Sequence, residues 1–128
     1  MRKQDTRSPM NRAIGLGSAR KGVGHWWAER TTAIALVPLT LWLVVSLVTL
    51  SGRDYTSFVA WLRMPISMVG MVLLLVALFY HMALGLQVIV EDYVHSAARF
   101  PALIAIRFGC FALATTGIAA VLRICFGY

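Results

Sequence analysis

This sequence predicts an all-α integral membrane protein with three transmembrane helices and a cytoplasmic N-terminus. Its 128 residues are 59% hydrophobic and only 13% charged, with a mean hydropathy of +0.75. A soluble domain of this size has too little interior to hide that much apolar surface. Three apolar runs, at about 31–50, 67–90 and 103–126, each reach the roughly 20 residues that a helix needs to cross a bilayer. Basic residues cluster ahead of the first run: Arg2, Lys3, Arg7, Arg12, Arg20, Lys21 and Arg30 are seven of the twelve Lys and Arg.

That clustering decides what the net charge of +7 means. With Arg99 and Arg107, one side of the membrane carries nine basic residues. Arg53, Arg63 and Arg123 are left for the other. The asymmetry follows the positive-inside rule and places the leader in the cytoplasm. It therefore reads as topology, and no nucleic-acid partner is expected.

Residues 1–29 form a polar basic leader, and 30–128 form the three-helix transmembrane domain. Pro9, Gly15, Gly17, Gly22 and Gly24 interrupt any regular pattern in the leader, so a surface loop is expected there. It is too long for the n-region of a cleavable signal, and the first span is expected to serve as an uncleaved anchor. Trp26 and Trp27 stand where interfacial aromatic residues belong. Pro38 lies inside the first span and is expected to bend it. Ser51–Pro65 reads as a short polar turn. The second helix is expected to run past the bilayer towards Tyr93, and Glu91–Pro101 is the second connection. Arg107 and Arg123 snorkel from the ends of the third span.

Cys110 and Cys125 fall in one helix, 15 residues apart. That is about 22 Å along the axis, too far to pair, and both read as packing residues. No C-x-x-C-H occurs, which excludes covalent c-type haem attachment.

The residue that stands out is His81, mid-way along the second apolar run. An ionisable side chain there costs roughly 2.5–3.5 kcal/mol on insertion scales, so it faces protein, water or a cofactor. Histidine is also the commonest metal ligand and a frequent ligand of haem iron. The structural alternative is an interhelical hydrogen bond to Ser or Thr. At about 100° per residue, Gly85, Val88, Asp92 and His95 lie within about 40° of His81 and form one stripe. Gly85 leaves room for a flat group such as a porphyrin, or for close helix packing, the ordinary use of small residues in membranes. Asp92 and Tyr93 end the run. They suit either an ordinary membrane interface or a quinone site, in which the Tyr hydroxyl bonds a quinone carbonyl. Arg30 suits an anionic propionate, a phosphate head group or Glu29. His25 and His95 are interfacial, and neither carries an assigned role. No other histidine lies in a span, so a second haem ligand must come from another chain.

The segment from His81 to Val94, with Gly85 four residues on and Asp92-Tyr93-Val94 eleven residues on, resembles the smaller hydrophobic membrane-anchor subunits of bacterial succinate dehydrogenase, respiratory complex II. Arg30-Thr31-Thr32-Ala33 is similar to that family's Arg-x-Thr-Ala segment, with His25 upstream. Length and three-span topology agree. The resemblance implies His81 as an axial ligand of haem b, Tyr93 as a hydrogen-bond donor to ubiquinone with Asp92 beside it, and Arg30 near the haem and quinone. It implies a cytochrome b556 subunit supplying the other haem ligand, with iron–sulfur and flavoprotein subunits docking on the cytoplasmic face of the bacterial inner membrane. His95-Ser96 replaces the Lys-Pro that some members carry after Asp-Tyr-Val.

On this reading the chain has no catalytic site for succinate. The rivals are the anchor of a quinol:fumarate reductase and a haem-free structural anchor. A small multidrug-type transporter would want an acidic residue within a span, and none of the five carboxylates lies in one.

Overall fold

The computed structural model describes Met10 and residues 19–127. Four helices follow in order: α1 (Ala19–Leu50), α2 (Tyr55–Leu62), α3 (Pro65–Tyr93) and α4 (Arg99–Phe126). Three of them, over Gly22–Leu50, Pro65–Tyr93 and Arg99–Phe126, are long and apolar enough to cross a membrane. Helix is the natural answer for such runs, because lipid offers no partner for backbone N–H and C=O groups and a helix satisfies them internally. No strand occurs among the described residues.

The helices start and stop for local reasons. Gly52, with φ of 77°, supplies the left-handed turn that ends α1, a conformation glycine adopts without a Cβ penalty. Pro65 opens α3, where its missing N–H would have been unpaired anyway. Gly127, with φ of 73°, caps α4 and returns its N–H to the Arg123 carbonyl.

Two expectations need correction. The leader is not a loop up to residue 29: α1 begins at Ala19 and takes in Gly22, Gly24 and both tryptophans. Each glycine costs a helix about 1 kcal/mol relative to alanine. That is too little to stop propagation from a long apolar helix, where nucleation is already met. The rest of the leader lies outside the described residues, apart from Met10. Second, the 51–65 connection is not only a turn. It contains α2, eight residues long. α1 also runs unbroken through Pro38.

α3 is the central helix and packs against both α1 and α4, while α1 and α4 make no comparable contact. Trp42 of α1 lies against Gly70 of α3 and stacks on Trp61 of α2, with ring centres 5.6 Å apart. Leu75 of α3 meets Gly117 of α4. Arg63 Nε donates to the Ile124 carbonyl (3.2 Å) and the Cys125 thiol to the Leu62 carbonyl (3.3 Å). These two bonds fasten α2 and its following turn to the end of α4. Cys110 is buried, as a packing residue should be.

Candidate functional site

His81 is half-buried on α3 and faces α1. Its Nδ1 lies 2.9 Å from the Thr32 hydroxyl oxygen. That oxygen is also 2.8 Å from the Ala28 carbonyl and 3.0 Å from the Glu29 carbonyl, one turn back on the same helix. Thr32 is therefore the pivot between α1 and the histidine. The other ring nitrogen, Nε2, has no hydrogen-bond partner among the described residues.

One turn along, Gly85 opens outwards. A Cβ built there meets nothing within 4 Å. Among the described residues Gly85 is therefore not spent on packing, in contrast to Gly70 of α3, where Trp42 of α1 comes close, and Gly117 of α4, where Leu75 of α3 does. The stripe continues through half-buried Val88 to exposed Asp92. Tyr93 is 80% exposed at the end of α3. Twelve residues separate it from His81, about 18 Å along a helix. The two residues thus mark separate places on one helix, one within the span and one at its end.

Arg30 is not brought to His81. Its guanidinium carbon lies 5.5 Å from the centre of the Trp26 ring, a cation–π contact. Two residues correspond to about 200° of helix, so Arg30 and Thr32 point to opposite sides of α1. Arg30 heads the exposed stripe Ile34, Val37 and Leu41. His95 is exposed in the connection after α3.

A second feature was not anticipated. Between the start of α1 and the middle of α4, over α3, lies a cavity of about 720 Å³ lined by His25, Tyr80, Gln87, Arg107, Cys110 and Thr115 among mostly apolar neighbours. His25 Nε2 is buried there without a hydrogen-bond partner. Arg107 donates to Gln87 Oε1 (3.3 Å), and Gln87 Nε2 donates to Glu91 (2.8 Å). Glu91 also pairs with Arg99 at 3.8 Å. The signal in the sequence was a glutamine and an arginine inside apolar runs. Their convergence depends on helix packing that spacing alone does not reveal. Among the described residues, no three His, Cys, Asp or Glu side chains gather as a metal site.

The family model for the succinate dehydrogenase/fumarate reductase transmembrane subunit matches residues 4–119. The chain belongs to that family. A succinate dehydrogenase hydrophobic membrane anchor subunit from Rickettsia bellii is 34% identical over 90 residues, covering 70% of this chain and 72% of that protein. The corresponding subunit of Paracoccus denitrificans is 28% identical over 122 residues, covering 89% and 95%. A succinate dehydrogenase membrane anchor subunit of Reclinomonas americana is 32% identical over 79 residues, covering 59% and 66%. No solved structure matches. The chain is thus a membrane-anchor subunit of the succinate dehydrogenase type, a multi-pass inner-membrane protein. The expected family and the three-helix membrane fold are both borne out. In the anchor, α3 carries His81, Gly85, Asp92 and Tyr93, and α1 carries Thr32 and Arg30.

Proposed function

We propose that this anchor ligates one face of a b-type haem through His81 and contributes Tyr93, with Asp92 beside it, to a ubiquinone site at the cytoplasmic end of α3. The observation that carries the reading is the state of the His81 ring. It is held through Nδ1 by Thr32, its Nε2 is uncommitted, and open space lies beside Gly85 one turn away. A haem would need from this chain one ligating nitrogen and room for a flat group, and His81 with Gly85 beside it fits that need. Haem supplies one-electron redox chemistry when bound. The protein's part is to fix the ligand and its surroundings.

The chain's own residues have limited tasks. Tyr93 offers a hydroxyl donor that is 80% exposed in this chain, free to meet a quinone carbonyl. Asp92, one residue away and exposed, biases the local field. Arg30, two residues before Thr32 on α1, stands near the level of His81 on the lipid- or partner-facing side, a place suited to an anionic propionate or head group. A second histidine ligand would come from the cytochrome b556 subunit. The iron–sulfur and flavoprotein subunits dock on the cytoplasmic face and deliver electrons from succinate. The direction follows the names of the relatives, all succinate dehydrogenase anchors; an anchor running quinol-dependent fumarate reduction would use the same residues.

One observation favours a haem-free structural anchor. The bond from His81 to Thr32 is an interhelical contact of the kind that simply satisfies a polar side chain in a membrane. A reduced-minus-oxidised optical spectrum of the whole complex, purified through a tag on this chain, separates the two readings. The haem reading expects a b-type band that His81→Ala removes or shifts and Tyr93→Phe leaves in place. A well-assembled wild-type complex with no such band leaves the structural anchor standing.

A further inference from the structure

We infer that Thr32 is a positioning residue that fixes His81 as its Nδ1–H tautomer and so presents the Nε2 lone pair as the iron-binding nitrogen. The inference rests on the haem reading above and goes one step beyond it, to how the ligand is prepared.

The argument begins with one hydrogen. A threonine hydroxyl has a single O–H to donate and two lone pairs to accept with. Three atoms crowd the Thr32 oxygen: the Ala28 carbonyl at 2.8 Å, the Glu29 carbonyl at 3.0 Å and His81 Nδ1 at 2.9 Å. Carbonyl oxygens only accept. If the hydroxyl gave its hydrogen to Nδ1, two carbonyl oxygens would face the Thr32 oxygen at close range with no hydrogen between them. Such contacts are repulsive, and an apolar span has little water to relieve them. With the hydrogen shared towards the carbonyls, both contacts become hydrogen bonds of the usual back-bonding type for Thr in a helix. The hydroxyl oxygen then accepts, and His81 must donate from Nδ1. In a neutral imidazole one nitrogen donates and the other carries the lone pair. Nε2 is therefore the lone-pair nitrogen, and it has no hydrogen-bond partner among the described residues.

Metal-ligating histidines generally donate their other N–H to a fixed partner. That partner sets the tautomer and ring orientation, and its removal costs about 10- to 100-fold in affinity or activity. Here the partner is a hydroxyl whose direction is itself set by the backbone of α1. The ring plane of His81 is thus tied to the first span.

The test compares four forms of the assembled complex: wild type, His81→Ala, Thr32→Val and Thr32→Ser. Valine keeps the volume and removes the hydroxyl; serine keeps the hydroxyl. The readouts are the rate of haem transfer to excess apomyoglobin and the low-spin g-values of the oxidised haem, which respond to ring orientation. Thr32→Val is expected to speed haem loss by about tenfold or more and to shift the g-values, with Thr32→Ser close to wild type. If Thr32→Val prevents assembly, Thr32→Ala against Thr32→Ser makes the same comparison. Wild-type release and g-values in the hydroxyl-free variant overturn the inference while the His81-dependent band preserves the haem reading. A band that survives His81→Ala, or is absent from the wild type, removes the haem reading and this inference with it.

Discussion

At Gly70 a methyl group has nowhere to go. A Cβ there falls 2.8 Å from Cη2 of Trp42, with two more ring carbons at 3.1 and 3.2 Å. The indole cannot swing away freely, because it stacks on Trp61, which in turn lies 5.8 Å from the Phe58 ring. Gly70→Ala should therefore cost about 1–3 kcal/mol, the usual range for overpacking. Reversible unfolding of the complex in mixed micelles would show this as a lowered midpoint, and an unchanged midpoint would mean the aromatic stack is loose. Gly85→Ala is the counter-experiment. None of the described residues meets the added methyl, so the helix packing should be unaffected. A loss of haem or of partner binding in this variant would come from outside the chain, and normal haem content with normal assembly would show that no close approach occurs at Gly85. His81 was legible in the sequence because an ionisable group in an apolar run is conspicuous. Thr32 entered only as part of the Arg-x-Thr-Ala resemblance and carried no role, and a hydroxyl partner for His81 was expected without being located. A threonine in an apolar helix is unremarkable until a contact 49 residues away along the chain gives it a partner.

Among the elements, the long helices were readable and the short one was not. Runs of some 20 apolar residues demand helix in lipid, and the three spans came through with their ends shifted by a few residues, apart from the early start of α1. The eight residues of α2 are too few to show a period above background, and only Asp54 announces them. Asp54 is the N-cap: its carboxylate accepts the Ser57 hydroxyl (2.6 Å), the Thr56 hydroxyl and the Ser57 backbone N–H (3.2 Å). Those hydrogen bonds, the Ser57 hydroxyl first, hold its pKa down from 3.8 to about 2. A depressed carboxylate favours the folded cap above the unfolded pKa, and the advantage drains away as pH falls through the folded one. α2 should thus keep full capping above about pH 4 and lose it progressively towards pH 2. Amide exchange across 55–62, compared between wild type and Asp54→Ala, checks both points. The variant should exchange faster at neutral pH, and its acid dependence between pH 4 and 2 should be flatter. Equal exchange at neutral pH would show that the cap contributes nothing to α2.

For the whole molecule the decisive quantity is how little of it is interior. In the most apolar 18-residue stretches of the three spans, only 6%, 11% and 11% of residues are buried. Ile34, Val37, Leu41, Val44 and Val48 line one outward side of α1, and Phe108 and Phe111 of α4 are about 70% exposed. The sequence could not say which of these faces meets lipid and which meets protein, because lipid tails are as apolar as leucine and set no compositional boundary. Polar groups mark the difference better. His25 Nε2 is buried and unpartnered in a cavity, and His81 forms no hydrogen bond at Nε2 among the described residues. The buried His25 nitrogen is a poor arrangement for a finished fold in hydrocarbon, where unsatisfied polar groups are costly, and together with the open His81 nitrogen it suits half of a shared core. The chain by itself should therefore be unstable. Expressed alone with a tag and extracted in mild detergent, it should be degraded or aggregate, while co-expression with the cytochrome b556 subunit should yield a monodisperse species of one copy each. Recovery of a monodisperse, haem-free monomer with a cooperative melt would overturn this, and would mean that the open faces of α1 and α3 are lipid-facing surfaces rather than a partner's seat.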